Sequence, residues 1–593
     1  MLTAATEGGG PSGGFRGRLA NGDYNLWLVI ALGVILYLPF LGSVGLWDPW
    51  ETHYGEVARE MMVRGDYIRP HWESGYFFSK PVLIFWLEAA AMRIVGVNEW
   101  GIRLPAALLA ILALAFSYLA VSRLVSRRVG LLASFITATS PHYFFLAKQA
   151  MTDMPFVALM TSGVSCLLIA FFEDREKVKP GWLYGGYAFI GAATLAKGLL
   201  GFMLPGAIFF VYIVVAGDWG LLKRARLLSG LVLFVAIAAP WYIYMSLFTG
   251  RDTEGKTFFQ RFWVHDHMNR LGAGVHGSRG NFAFFIEQLG FGMFPWSALV
   301  PFALVDAVRM KVAELDRAKR AMLVYIIWAV VAYSLFQISV TKFHHYIFPA
   351  VPALAVVIAY YIDRVFEGAV ELGVLTYFAV FAAFVILARD IAINSKVLVD
   401  LFIYNYERTY PTMADPKWVY AVLFTGAGAV MVYFYFFGNA KKIMYTMSAL
   451  ALAFAVFGVH VYFNQMSPHW SQKYMFDTYY SQKRPGEPVG AYLMNWRGET
   501  YYSKNTVRQL KSQGELNSFL TSSQGRKWLL VETHRYNGMR NAMPSDYQAE
   551  ARIVDRSCNK FYLVMVGEVK AKTPREPPKA PEKEEKFEGG APE

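Results

Sequence analysis

Apolar runs close to 20 residues long recur along most of the chain, separated by short polar loops. At a helical rise of about 1.5 Å per residue, such a run crosses ~30 Å of hydrocarbon. The first is Leu26 to Leu46, and further spans are expected near 103–122, 129–147, 155–172, 182–196, 200–216, 227–248, 287–306, 321–340, 346–362, 372–389, 417–437 and 443–463. That pattern predicts a polytopic all-α membrane protein with about 13 crossings. The piece from Val82 to Val97 breaks it. Glu88 and Arg93 interrupt a stretch already short for a crossing, so an interfacial or re-entrant helix is expected on the outer face. Beyond residue 464 the chain turns polar, with strand-like runs at Val489–Met494, Trp528–Glu532 and Phe561–Val566 and a helical stretch near Glu515–Leu520. A small extracytoplasmic α/β domain is therefore expected over 464–570, and about 105 residues suffice for a core of its own.

The transmembrane domain is then 25–463, with 47–102 as its first outer loop. Residues 1–24, Gly-rich with Arg16 and Arg18, read as a flexible cytoplasmic N-terminus. The Pro/Lys/Glu-rich 571–593 reads as a disordered tail. The first run lacks a convincing small-residue cleavage site and is read as a retained signal-anchor.

Composition agrees, with 55% hydrophobic and 17% charged residues in 593. The net charge of +13 does not call for nucleic acid, because much of it falls in short loops between spans. With the N-terminus inside, the inner loops carry Arg123/Arg127/Arg128, Arg175/Lys177/Lys179, Lys223/Arg224/Arg226, Arg309 to Arg320, and Lys441/Lys442. Making 82–97 a crossing would put these clusters outside, against the positive-inside rule. Candidate chemistry is thereby gathered on the outer face: the opening loop, Asp153, Lys197, the 249–286 loop, Lys342 to Tyr346, the 390–416 loop and the C-terminal part. Cys166 and Cys558 say nothing about redox compartment.

The most informative stretch is Leu46 to Pro81, LWDPWETHYGEVAREMMVRGDYIRPHWESGYFFSKP. Asp48 and Glu51 follow directly on a span. In the next segment Tyr54, Val57, Ala58 and Met61 share one helical face and Glu56, Arg59 and Glu60 the other. Asp48, Glu51 and Asp153 at outer span ends point to acid/base chemistry or a polar substrate. Lys80, Lys197, Arg270 and Lys342 at matching depth suggest an anion pocket, with arginine able to grip phosphate bidentately. His265, His267, His344 and His345 lack the i, i+4 spacing of a helical zinc site, so a divalent metal is conceivable without being supported, and no cofactor is required. No H-E-x-x-H occurs, and no G-x-G-x-x-G opens a strand-turn-helix unit.

At these residues the chain resembles the membrane-embedded C-type glycosyltransferases that use lipid-linked sugars, in particular the protein-mannosyltransferase-like branch that includes bacterial aminoarabinose transferases. WDPWETHYGEVAREM, GDYIRP and FFSKPVLIFW resemble the family's first loop, QAMTDMPF its second acidic loop, LAKG its lysine loop, and TKFHHYIFPAVPALA its K-L-P-x-Y segment. The likeness covers roughly 25 to 465. Two positions depart: Trp50 stands where the family usually has its catalytic aspartate, and Ser79 where the aminoarabinose branch often has an acidic residue. The resemblance implies inverting transfer from a polyprenyl-phosphate sugar to a glycolipid such as lipid A, another glycan or a protein, on the outer face of a bacterial cytoplasmic membrane. Glu51 or Asp48 would be the base, Asp153 its partner, and Lys80, Lys197, Arg270, Lys342, Tyr346, His53 and Tyr54 would bind substrate and phosphate. The alternative from another class is a transporter or flippase of a lipid-linked anion, which would keep its ionisable groups nearer the bilayer midplane.

Overall fold

The computed structural model describes residues 23–269, 281–309, 315–340, 342–403, 408–522 and 525–567. The expected tails, up to residue 22 and over 571–593, lie outside these residues, as does Arg270. Among the described residues eight helices are long and apolar enough to cross a membrane, or nine if one bent pair counts as a span. The chain is an integral membrane protein.

The bent pair is Arg127–Thr139 and Pro141–Ala147, meeting at 68°. Its cause is local. Pro141 disfavours helical geometry at the residue before it, and Ser140 is extended (φ −76°, ψ 130°). At the centre stands Asp153–Phe172, buried along its whole length. It packs against Glu99–Leu124 and Pro180–Lys197. The approach to the latter is close: a Cβ on Gly163 would lie 3.2 Å from the Gly186 carbonyl oxygen. Val374–Ile393 and the span Thr412–Phe437, only 17% and 22% buried over their apolar windows, belong with Leu227–Leu247 (22%) to the lipid-facing rim.

Between the first helix, Tyr24–Tyr37, and Glu99–Leu124 the chain forms a helix (Trp50–Arg64), a short hairpin (His71–Trp72 with Gly75–Tyr76) and a second helix (Leu83–Val95). The last is 13 residues long and lies against Trp50–Arg64 and Glu99–Leu124. One expectation needs correcting. The polar face of Trp50–Arg64 does not meet water: Glu56 is fully buried and Glu60 nearly so. The C-terminal helix Gly498–Tyr502 packs on this helix, and Arg59 joins the carboxylates, 2.7 Å from Glu56 and 2.6 Å from Glu60. Burial pushes the Glu56 carboxyl up to about 7 against the pull of Arg59.

The C-terminal part carries a five-stranded sheet ordered Arg508–Leu510, Val489–Tyr492, Lys527–Glu532, Phe561–Val566, Ala551–Asp555. Its first two pairings are parallel and its last two antiparallel. The three apolar runs seen in sequence are its three central strands. The two edges, short or charged, carry little apolar pattern, which suits strands whose outer side has no partner. This part is tied to the opening loop: the Leu46 amide donates to the Tyr502 hydroxyl (2.7 Å) and the Asp48 amide to the Trp470 carbonyl (3.1 Å).

Gly498 lies at a tight point of this junction, where an added Cβ would meet Asp48 Oδ1 at 2.5 Å and Gln472 Cδ at 2.9 Å. Gly498→Ala is expected to lower stability by about 1–3 kcal/mol through overpacking. Thermal unfolding in detergent and limited proteolysis of the C-terminal part will show it as a lower Tm and faster cleavage.

Candidate active site

Glu51 makes four hydrogen bonds in a fully buried setting. Arg103, inside the span Glu99–Leu124, approaches it side-on with Nε 2.8 Å from Oε1 and Nη2 2.7 Å from Oε2. The amides of Trp47 (2.8 Å) and Ala150 (3.0 Å) donate to the same two oxygens. Arg103 also donates to the carbonyls of Leu41, Val44 and Gly45. A bidentate, fully hydrogen-bonded pair is the one arrangement in which two charges are held stably without water. It fastens three segments together: the turn after the first span, the span bearing Arg103, and the loop that leads into Asp153.

Asp48 is equally buried but faces the C-terminal part. Thr52 Oγ1 donates to it (2.8 Å), Gln472 Nε2 bridges it (3.0 Å) to Glu499 (2.8 Å), and Arg408 stands 3.7 Å away. Burial pushes the Asp48 carboxyl up to about 7; Arg408 pulls it down, while Glu499 adds to the rise.

The third carboxylate has a different neighbourhood. Asp153 sits in the first turn of its helix and Lys197 in the last turn of the next, so each charge lies at the favourable pole of its helix. They pair at 2.9 Å, and Lys197 Nζ also donates to Thr152 Oγ1 (3.1 Å). His345 and Lys80 lie within electrostatic reach of Asp153. The Lys80 ammonium lies over the Trp50 ring, 5.8 Å from its centroid. His53 is boxed by Trp72 (4.2 Å between ring centroids) and Phe77 (4.5 Å). Burial, with Arg497 and Lys80 nearby, holds its imidazole neutral, with a pKa well below the usual range. Tyr54 stacks beside Trp50 and His53.

The structure thus brings together Asp153, Lys197, Lys80, His53, Tyr54 and Trp50. It does not bring Lys342 among them as a free cation: the ammonium donates to the carbonyls of Gln337 and Ser339 (3.0 Å each) and so closes the end of Arg317–Ile338. Tyr346 packs on Phe336, Phe343 and His345. His265 pairs with Asp266 at 2.8 Å. Among the described residues no group of three or more His, Cys, Asp or Glu side chains is placed to hold a metal. Sequence reasoning passed over Arg103, although an arginine inside an apolar run is itself a signal. It also passed over Arg408, Gln472, Arg497 and Glu499, which no local pattern ties to the first loop.

Comparison with known proteins adds to this geometry. Residues 79–244 match the family described as dolichyl-phosphate-mannose-protein mannosyltransferase. The chain is 27% identical over 346 residues to the undecaprenyl phosphate-alpha-4-amino-4-deoxy-L-arabinose arabinosyl transferase of Edwardsiella ictaluri, covering 57% of this chain and 59% of that protein. It is 30% identical over 340 residues to the protein of that name from Pectobacterium carotovorum, covering 57% and 58%. The matched stretch spans about three-fifths of these relatives. In three dimensions the chain superposes on ArnT from Cupriavidus metallidurans bound to undecaprenyl phosphate with a TM-score of 0.70 at 21% identity, over 91% of this chain and 97% of that one. Its fold is that of ArnT. The apo form of the same protein gives 0.68 over the same shares.

Removing one partner of the buried clamp leaves an uncompensated charge. Arg103→Leu is expected to cost about 3–5 kcal/mol, read as a large drop in Tm of the detergent-purified protein. The junction supplies a pH dependence. Asp48 titrates at about 7 in the folded protein against an ordinary 3.8, so between those values the folded state holds the extra proton and stability falls as pH rises. Wild type should have a lower Tm at about pH 8 than at about pH 5. Asp48→Asn should shrink that difference, leaving the part due to Glu56.

Proposed function

We propose that this chain is an inverting glycosyltransferase that moves a sugar from a polyprenyl phosphate to a glycolipid, glycan or protein acceptor at the outer face of a bacterial cytoplasmic membrane. The observation that carries it is the Asp153–Lys197 pair facing Lys80, held in place through the Glu51–Arg103 clamp. The relatives' names specify an undecaprenyl phosphate sugar, and ArnT with this fold binds undecaprenyl phosphate.

Thirteen crossings complete the topology. The eight long helices and the bent pair are joined by the shorter apolar helices Tyr24–Tyr37, Leu200–Ala216 and Trp296–Val308 and by the Gly-rich Pro180–Lys197. This arrangement sends every basic loop to one side and the candidate site to the other, which the positive-inside rule makes the outer side. Candidate ionisable groups gather at that end of the spans rather than at the midplane, which favours an enzyme over a transporter.

Asp153 is assigned the base. Glu51 has no lone pair left for the task, and Asp48 faces the C-terminal junction. The acceptor hydroxyl attacks the anomeric carbon, its proton passes to the Asp153 carboxylate, and the bond from that carbon to the phosphate oxygen breaks. Lys80 and Lys197 hold the departing phosphate as its charge grows. The sugar inverts in one displacement, and no cofactor takes part.

The test is transfer by the purified protein from a panel of radiolabelled polyprenyl-phosphate sugars to membrane lipid extract. Asp153→Asn should lower transfer by about 10²–10⁴-fold, with a smaller drop in Tm than Glu51→Gln because Lys197 is partly exposed and can be solvated. Glu51→Gln should lower transfer and Tm together. Wild-type transfer by Asp153→Asn would remove that residue as base, and no transfer from any donor would overturn the enzymatic reading.

A further inference from the structure

On the far side of the membrane layer from Asp153 and Lys80, four helices enclose a cavity of about 230 Å³. They are Val351–Phe366, Val374–Ile393, Lys417–Phe437 and Ala440–Phe457. Its place follows from chain direction. Val374–Ile393 and the run from Ala440 to Trp470 both start at the cavity and lead toward the candidate site, where the Trp470 carbonyl accepts from Asp48. Twenty helical residues, about 30 Å, separate the two ends.

Phe378, Phe381, Phe384 and Met447 make the cavity apolar, and two of its helices belong to the lipid-facing rim. Three lining groups break that character. Tyr361, Tyr377 and Tyr435 come from three different helices, and no hydrogen bond to another described residue satisfies their hydroxyls. The Tyr377 and Tyr435 rings are 5.2 Å apart. A hydroxyl at the edge of hydrocarbon is costly without a partner, so a ligand with acceptor oxygens suits this spot.

The charges at this end are asymmetric. Lys441 and Lys442 stand exposed in the first turn of Ala440–Phe457 and make no ion pair with a described residue, and the Lys442 ammonium lies 5.4 Å from the Phe434 ring centroid. The carboxylates nearby are largely taken: Asp306 by Arg364, and Asp363 and Glu367 by Arg128. Glu371 is exposed on the connecting segment. The helix starts at Val374 and Ala440 add the positive ends of two dipoles.

We propose that this cavity binds an anionic diacyl phospholipid of the leaflet opposite the candidate active site. One acyl chain lies among the phenylalanines, the ester carbonyls accept from the tyrosine hydroxyls, and the phosphate meets Lys441, Lys442 and the two helix starts. A basic interhelical pocket over an apolar groove is the arrangement that selects such headgroups. The site is separate from the donor's, because it opens to the other leaflet, and it stands whether or not the transfer reading does.

The test is native mass spectrometry of the delipidated full chain in detergent, offered phosphatidylglycerol, phosphatidylcholine or a polyprenyl phosphate. Wild type should retain one phosphatidylglycerol about tenfold better than phosphatidylcholine. Lys441→Gln with Lys442→Gln should abolish that preference. Met447→Trp, which fills the cavity, and the milder Tyr377→Phe with Tyr435→Phe should both weaken retention at unchanged Tm. Equal retention of the two phospholipids by wild type would overturn the proposal. So would full retention by the tyrosine variant, or displacement of phosphatidylglycerol by polyprenyl phosphate.

Discussion

A carboxylate and a guanidinium sealed from water constrain this molecule more than any other contact. Glu51 and Arg103 satisfy one another bidentately, and their remaining capacity is filled by backbone groups from the segment after the first span and by the amide of Ala150. Isolated, either charge would cost several kcal/mol to bury; together, with every donor and acceptor used, they act as a rigid fastener. What they fasten matters for chemistry. The loop held through Ala150 turns directly into the helix that begins with Asp153.

From that fastener the site follows by packing. Asp153–Phe172 is walled in along its length, so the carboxylate in its first turn has little freedom except toward the outer end. There Lys197 arrives on the neighbouring antiparallel helix, and Lys80 arrives from the opening loop over the face of Trp50. Trp50 brings no carboxylate of its own, and Asp153 is the acidic group set beside Lys197 and within reach of Lys80. Of the three carboxylates, Asp153 faces the cations, Glu51 is held by Arg103, and Asp48 is held by Thr52 and Gln472.

The C-terminal sheet belongs to the same construction. Its helix Gly498–Tyr502 covers the polar face of Trp50–Arg64, and Gln472 and Glu499 close over Asp48. Arg497, from the same segment, comes close enough to His53 to help keep it neutral. The C-terminal part is thus fixed to the opening loop by buried polar contacts, and the proton on Asp48 couples its fit to pH near neutrality. At the opposite end of the spans, Tyr361, Tyr377 and Tyr435 line an apolar cavity near Lys441 and Lys442, where we propose a phospholipid binds.

The order of apolar runs by itself determined the membrane class, the short helix after Lys80 and the three central strands of the sheet, because hydrocarbon thickness and strand alternation act on consecutive residues. It also gathered Asp48, Glu51, Asp153, Lys80, Lys197, Arg270 and Lys342 at span ends on one side. It did not determine that Glu51 is a clamp, that Lys342 closes a helix, or that Glu56 and Glu60 are buried. Those outcomes depend on Arg103, Gln337 and Gly498–Tyr502, residues distant in sequence or outside any local pattern. A carboxylate's role is set by which donors reach its oxygens, and only the tertiary structure decides that.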